Sequence, residues 1–333
     1  MTPERLPVSI RWRRKVSLRS RLITYMNQIL IEPRLARVRM DDPQSVRRLL
    51  ALDQLASLIK PPPGTVVEPI QIGECAAEWI HAAGVPASRS GKIFLYYHGG
   101  GWFFGGLNTY RRMLTRFSAA LGRPVLSVDY RMLPAVDFRT MIKDCVQAYA
   151  WLLGTGVKPA DVCVAGDSAG GHLAFAVLVH ARERGLPMPG SVVALSPCLD
   201  LDFTAKFNYP NALNSAASVR TLRELHRVFL SDLDTSDPLV SPIRADVRGF
   251  PPALLIVSSS ETLYYDSELM ANRLAQAGVT HQLLIWYRQI HVFPALGNLT
   301  PEAKAAIGEI AEFVNSHPNA LKAEETSTGT GAE

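Results

Sequence analysis

The chain has 333 residues, of which 47% are hydrophobic, and a net charge of +5. This length and composition are typical of a large α/β protein with one core and an insertion. No apolar run approaches the ~18 residues that a membrane-spanning helix needs. The charge is uneven, because residues 1–60 hold thirteen Lys/Arg and five Asp/Glu, a local balance of +8.

This basic segment predicts two helices. Apolar residues recur at helical spacing over residues 16–31 and form one face of an amphipathic helix, which we expect to end at Pro33. Such a helix can pack on a core, cover a hydrophobic site or lie on a membrane surface. We expect a second helix to begin at Pro43, with Asp42 as its N-cap, and to run to Lys60.

The N-terminus and the cysteines predict the compartment. Arg19 and Arg21 interrupt the apolar region that a secretory signal would need, so we expect no such signal. The cysteines show no C-x-x-C spacing, which favours buried free thiols over disulfides or zinc ligands. We therefore predict a cytoplasmic protein. The four cysteines are Cys75, Cys145, Cys163 and Cys198.

Beyond residue 60 the pattern alternates between strands and helices, which predicts a mainly parallel eight-stranded sheet with helices on both faces. The predicted strands are 65–72, 76–81, 92–97, 124–128, 161–165, 191–196, 253–258 and 282–287. The helices between the later strands are 109–121, 138–153, 169–184 and 265–277. Between residues 196 and 252 only a helix near 219–230 is indicated, so this stretch is an insertion.

A Gly-x-Ser-x-Gly box from Gly166 to Gly170 follows the predicted strand 161–165 and precedes helix-forming residues. Ser168 is therefore expected on a sharp strand-to-helix turn, where it would be a nucleophile. Glycine is needed on both sides because strand and helix pack closely there.

A glycine run follows the predicted strand 92–97, in the sequence His98-Gly99-Gly100-Gly101-Trp102. Backbone N–H groups in such a run can point into a cavity, where they would stabilise the oxyanion of an acyl-transfer intermediate. A phosphate-binding loop is not indicated, because neither Gly-Lys-Ser/Thr nor G-x-G-x-x-G accompanies the run.

A serine nucleophile needs a base, and in α/β-hydrolase order the acid and then the histidine follow the serine. This order leaves His281, His291 and His317. Catalytic groups lie beyond the carboxyl ends of parallel strands. His281 begins a strand and His317 ends the last helix, so we predict that His291 is the base.

The same argument locates the acid. Glu261 lies four residues past Val257, the end of the penultimate strand, just as His291 lies four residues past Tyr287. We predict that Glu261 holds the histidine ring. Asp266 stays in contention, although it falls about one turn into the following helix.

These motifs together resemble the hormone-sensitive lipase family of bacterial esterases, and the resemblance covers about residues 60–317. The family implies an α/β-hydrolase fold with a helical cap and cofactor-free hydrolysis of short or medium acyl esters. Most members have Asp where this chain has Glu261. The motifs are His98-Gly99-Gly100-Gly101-Trp102, Asp129-Tyr130-Arg131 with Pro134, Gly166-Asp167-Ser168-Ala169-Gly170-Gly171, Ser196-Pro197 with Asp200-Leu201, Asp237-Pro238-Leu239 with Ser241-Pro242, and Ile290-His291-Val292-Phe293.

The resemblance also implies site roles and a division of the chain. Oxyanion donation falls to the N–H groups of Gly100, Gly101 and Ala169, with His98 bracing their loop. We also assign Trp102 and Phe103 to the substrate pocket. The expected segments are a cap at 1–60, a first core part at 61–202, a cap insertion at 203–232, a second core part at 233–318 and a disordered tail at 319–333.

We therefore expect a serine carboxylesterase whose partner is a small-molecule ester. The alternatives are an amide or lactone hydrolase and a non-catalytic receptor for small ligands on the same fold. The chain lacks the interleaved aromatic and basic residues that would favour nucleic acid. A lipid contact through the basic N-terminal helix and a homodimer remain open.

Overall fold

Short apolar runs with little polar interruption form the strands of one sheet, as their composition predicts. The computed structural model describes residues 9–35, 37–87, 91–209 and 218–317. Within them the sheet has nine strands in the order β1-β9-β8-β7-β6-β4-β5-β3-β2. The strands are β1 (Ile10–Arg13), β2 (Val66–Ile72), β3 (Cys75–His81), β4 (Ile93–Tyr97), β5 (Val125–Asp129), β6 (Val162–Asp167), β7 (Ser191–Leu195), β8 (Ala253–Ser258) and β9 (His281–Trp286).

Only the edge of the sheet at β2 and β3 is antiparallel. The central strands pair in parallel, and every residue of β4, β6, β7 and β8 is buried. The helices of the described chain are α1 (Leu18–Met26), α2 (Glu32–Leu35), α3 (Pro43–Ala56), α4 (Leu107–Leu121), α5 (Phe138–Gly154), α6 (Ala169–Glu183), α7 (Thr204–Phe207), α8 (Val219–Leu225), α9 (Tyr264–Gln276) and α10 (Pro301–Ser316).

Two apolar clusters cover the two faces of the sheet. One contains the inward side chains of α5, α6 and α9, and the other contains those of α4 and α10. Parallel strands buried on both faces require this arrangement, because each face must be removed from water. The α/β fold with helices on both faces is therefore confirmed.

The number of strands differs from the sequence prediction, since the described chain has nine rather than eight. The additional strand, β1, pairs in parallel with β9 at the edge of the sheet. Its apolar residues Ile10 and Trp12 alternate with Arg11 and Arg13, and both arginines form ion pairs with Glu309. A four-residue basic strand at an edge has no continuous apolar run, which is why the pattern did not reveal it.

The first predicted helix is longer than expected. Helix α1 continues through a π-helical turn, Asn27–Ile31, into α2, so Pro33 does not end it. In the π turn each backbone N–H bonds the carbonyl oxygen five residues earlier instead of four. This change of register lets the helix continue past Pro33, which has no N–H to donate. Asp42 caps α3 by accepting hydrogen bonds from Gln44 and Ser45, as predicted, but α3 ends at Ala56, before Lys60.

The insertion between β7 and β8 contains α7 and α8, and α8 extends through a second π turn, His226–Leu230. The helix predicted near 219–230 is thus confirmed. The predicted disordered tail, 319–333, lies outside the described residues. Over the described residues, no helix has both the length and the apolar character that crossing a membrane requires.

Candidate active site

Ser168 lies between β6 and α6, on the turn that the glycine box predicts. Its backbone has φ 53° and ψ −118°, a strained conformation for a residue with a side chain. The turn is tight. A Cβ atom on Gly166 would lie 2.2 Å from the carbonyl oxygen of Gly170, and one on Gly170 would lie 2.0 Å from that of Tyr97. Both positions therefore require glycine, and Ser168 stays half-buried at the strand end.

The glycine run after β4 forms a second turn beside the serine. Gly100 and Gly101 have φ values of 111° and 61°, which disfavour other residues. Both line the cavity that Ser168 faces. Ala169 is the first residue of α6, so its N–H group has no acceptor inside the helix. Gly100, Gly101 and Ala169 thus line the same cavity as Ser168, and each carries a backbone N–H group.

Asp167 anchors the glycine run, a contact that the sequence analysis missed. Its buried carboxylate accepts hydrogen bonds from the Gly99 N–H (3.0 Å) and from the hydroxyl groups of Tyr96 (2.8 Å) and Tyr110 (2.9 Å). Burial raises the pKa of Asp167, and the two hydroxyl groups oppose that shift. Because Asp167 precedes Ser168 directly, this carboxylate joins the serine turn to the glycine run.

His98 packs beneath the same run. Its ring stacks on Tyr130 with 4.5 Å between ring centroids, and its Nδ1–H donates to the carbonyl oxygen of Gly99 at 2.7 Å. The Tyr130 hydroxyl donates to the carbonyl oxygen of His98 at 2.6 Å. Burial lowers the pKa of His98 to about 4, so the ring is neutral near pH 7.

Glu261 and His291 meet beyond the carboxyl ends of β8 and β9. The Nδ1–H of His291 donates to Oε2 of Glu261 at 2.5 Å. The other carboxylate oxygen, Oε1, accepts hydrogen bonds from the Ser258 N–H (2.6 Å) and the Ser196 hydroxyl (2.7 Å). These contacts fix the carboxylate, whose side chain is only 1% exposed. The contact at Nδ1 leaves Nε2 of His291 available.

The other candidates lie elsewhere. His281 starts β9, at the opposite end of that strand from His291, and His317 caps the end of α10. A further histidine, His172, lies one turn into α6, where it is buried and its Nε2–H donates to the carbonyl oxygen of Val240 at 2.7 Å.

Asp266 is fully buried in α9 and forms an ion pair with Lys206 at 2.6 Å. It also accepts a hydrogen bond from the Leu199 N–H at 3.0 Å. It is therefore Glu261, not Asp266, that contacts His291.

This ion pair carries a prediction. Asp266→Asn should destabilise the fold by about 3–5 kcal/mol, because it leaves the charge of Lys206 buried without a partner. The free energy of unfolding in urea measures the loss. The double variant Asp266→Asn/Lys206→Met serves as the control, since it removes the stranded charge and should recover part of the stability. A single variant that unfolds like the wild type would contradict the assignment.

One cavity of about 760 Å³ contains Ser168 and His291. This volume suits a small organic ligand. Trp102 and Phe103 both line it, although Trp102 is buried and packs edge-on against other rings. The N-terminal segment and α8 supply further apolar lining residues, which are Leu35, Val38, Met40, Leu49, Leu222 and Leu225.

The buried state predicted for the four cysteines is observed. No group of three or more His, Cys, Asp or Glu side chains in the described residues could hold a metal ion.

Comparison with known proteins places the chain in a family. A family model for the alpha/beta hydrolase fold matches residues 94–295. The esterase LipU of Mycobacterium tuberculosis is 33% identical over 79% of this chain and 91% of its own length. An acetyl-hydrolase of Streptomyces hygroscopicus is 34% identical over 77% of this chain and 83% of its own length.

Solved structures of esterases have the same fold as this chain. An esterase of the bacterial hormone-sensitive lipase family superposes with a TM-score of 0.80 and 32% identity, covering 91% of this chain and 99% of its own. An esterase/lipase from an uncultured bacterium gives a TM-score of 0.81 and 33% identity, covering 92% and 100%. The fold and site thus define an α/β hydrolase. The chain belongs to the bacterial hormone-sensitive lipase family of esterases and is a carboxylic ester hydrolase.

Proposed function

We propose that the chain hydrolyses short- to medium-chain acyl esters through an acyl-enzyme intermediate on Ser168. The observation that carries this proposal is the pairing of His291 with Glu261 at one wall of the cavity that also holds the strained serine. Transfer of an acyl group to a serine hydroxyl uses a nucleophile, a base and an acid that orients the base, and Ser168, His291 and Glu261 would fill these roles.

In the acylation step the Oγ atom of Ser168 attacks the ester carbonyl carbon, and its proton passes to Nε2 of His291. Glu261 stabilises the imidazolium that forms. The N–H groups of Gly100, Gly101 and Ala169 receive the negative charge that develops on the carbonyl oxygen. The carbon–oxygen bond to the alcohol then breaks, and the alcohol leaves with the proton from His291.

Deacylation repeats these steps with water as the nucleophile. His291 takes a proton from water, the hydroxide oxygen bonds to the acyl carbon, and the bond to Ser168 breaks. The serine recovers its proton from His291, and the free acid leaves. The contacts of Asp167 and His98 with Gly99 support the oxyanion role proposed for the neighbouring glycine N–H groups. Oxyanion donors are effective only when they are held in place before the reaction.

The walls and volume of the cavity bear on the length of the acyl chain that the site accepts. Its walls come partly from the N-terminal segment and α8, and its volume lies within the range of pockets that bind small ligands. We expect p-nitrophenyl esters with acyl chains of about four to eight carbons to give a higher kcat/KM than longer esters. Initial rates across a chain-length series measure this, with Ser168→Ala as the blank. A maximal rate on emulsified triolein would contradict the proposal.

A parallel assay with p-nitroanilides separates ester from amide hydrolysis. The ester has the better leaving group, because p-nitrophenolate departs more readily than an amine. We expect anilide turnover to be far slower than ester turnover. Faster anilide turnover would favour the amide hydrolase instead.

A further inference from the structure

Helix α1 presents its apolar side to solvent. Leu18 is 82% exposed and Leu22 is 61% exposed, and Tyr25 and Met26 are also exposed. At 3.6 residues per turn these four side chains fall within about 100° of the helix circumference. Ile29, in the following π turn, is exposed as well. We call Leu18, Leu22, Tyr25, Met26 and Ile29 the apolar face.

The opposite side of the helix is polar and faces the protein. The hydroxyl groups of Ser17 and Ser20 donate to Glu302 in α10, at 2.9 and 2.7 Å. The Thr24 hydroxyl donates to the carbonyl oxygen of Arg288 at 3.3 Å. These contacts fix the rotation of the helix, so the apolar face cannot turn inward without breaking them.

The exposed apolar side chains are concentrated in one stretch of the chain. Of the seventeen exposed large hydrophobic side chains in the described residues, fourteen lie between Ile10 and Ile59. A stripe of exposed apolar side chains along one side of a helix is unusual on a monomer, and exposed apolar patches mark interaction sites. An ordinary core-packing helix would show the reverse arrangement.

Positive charges border the apolar face. Arg19 and Arg21 are exposed, and their positions in the helix put one on each side of the apolar stripe. Arg14 and Lys15, also exposed, precede the helix. Long cationic side chains beside an apolar stripe can lay their stems along hydrocarbon while their charged ends reach phosphate groups. The nearby acid Glu32 is half-buried and accepts a hydrogen bond from Asn27, and its single negative charge is outnumbered by these four cations.

We propose that the apolar face docks on an anionic lipid surface, with α1 lying in the plane of that surface. Charge complementarity selects this occupant over a second copy of the chain. A symmetric pairing of two apolar faces would bring Arg19 and Arg21 of both copies together, which costs free energy. Anionic headgroups would instead attract each arginine.

The docking face and part of the cavity wall belong to one segment of the chain. The same N-terminal segment that carries α1 contributes Leu35, Val38 and Met40 to the cavity walls. Docking would therefore hold the cavity next to the lipid from which an acyl ester could enter. The docking proposal rests on surface residues and is independent of the catalytic assignments.

Cosedimentation of the full chain with vesicles tests it. We expect binding to vesicles that contain phosphatidylglycerol, weaker binding to pure phosphatidylcholine, and loss of binding at high salt. Leu18→Ser/Leu22→Ser/Ile29→Ser should lower the affinity at least tenfold. Arg19→Gln/Arg21→Gln should lower it about tenfold on the anionic vesicles only.

Two controls keep the test decisive. Lys143→Gln/Lys158→Gln removes the same charge from exposed positions elsewhere and should bind like the wild type. Hydrolysis of p-nitrophenyl butyrate without vesicles should be unchanged in the triple serine variant, which shows that it is folded. Absent binding by the wild type, or equal binding by the triple variant, would overturn the proposal. A wild-type dimer that the triple variant converts to a monomer would also overturn it, because the face would then join two copies.

Discussion

Ser168→Ala is expected to lower kcat for p-nitrophenyl butyrate by about 10⁴–10⁶. The change removes the oxygen that would form the acyl bond, while His291, Glu261 and the glycine run keep their positions. Residual rate would come from the oxyanion donors and substrate binding alone. Steady-state kinetics at saturating ester measures the loss.

The fold should survive this change, because only one oxygen is removed from a half-buried side chain. A thermal unfolding curve close to that of the wild type is the control. A folded Ser168→Ala protein with wild-type kcat would refute the role proposed for the serine.

Glu261→Gln should lower kcat by roughly 10²–10⁴. The amide oxygen can still accept from Ser258 and Ser196, so the side chain stays in place. The amide N–H then faces Nδ1 of His291 and favours the tautomer that carries its proton on Nε2. That tautomer cannot accept the proton of Ser168.

Glu261→Asp is the matched control for charge. It keeps the carboxylate but withdraws it by one methylene, so the contact with His291 lengthens beyond the ~3.2 Å of a good hydrogen bond. We expect the kcat of Glu261→Asp to be lower than that of the wild type and higher than that of Glu261→Gln. If Asp266→Asn loses kcat per folded molecule while Glu261→Gln keeps it, the acid is Asp266 and this assignment is wrong.

The central strands and the serine turn could be predicted because each is encoded locally. A run such as Val162–Asp167 is short and mostly apolar, and the Gly-x-Ser-x-Gly box places glycine at the two positions where no Cβ atom fits. The order of elements then indicated Glu261 and His291 by their offset from strand ends. Their contact follows from two neighbouring parallel strands, β8 and β9, which end at the same edge.

The missed features depend on distant partners. Glu261 is held by Ser196, which lies 65 residues earlier, and Asp266 is neutralised by Lys206, 60 residues earlier. No local pattern shows such pairs, so the sequence alone does not decide between Glu261 and Asp266 as the acid. Strand β1 does show the alternation typical of a strand, since Ile10 and Trp12 alternate with arginines. Its high positive charge, however, is not typical of a strand.

The outward apolar face of α1 was also beyond local prediction. Sequence periodicity shows that a helix has an apolar side, but not which way that side faces. Here the polar contacts of Ser20 with Glu302 and of Thr24 with the Arg288 carbonyl decide the rotation. The orientation therefore comes from a tertiary contact with α10 and the loop after β9.

Detection of the acyl-enzyme tests the role of Ser168 without relying on a variant. The enzyme is mixed with excess p-nitrophenyl butyrate, quenched in acid within milliseconds, digested and analysed by mass spectrometry. We predict a butyryl group on the peptide that contains Ser168, formed with a burst of p-nitrophenol when deacylation is the slower step, and absent from Ser168→Ala. A butyryl group on a different residue, together with undiminished hydrolysis by Ser168→Ala, would show that Ser168 is not the nucleophile.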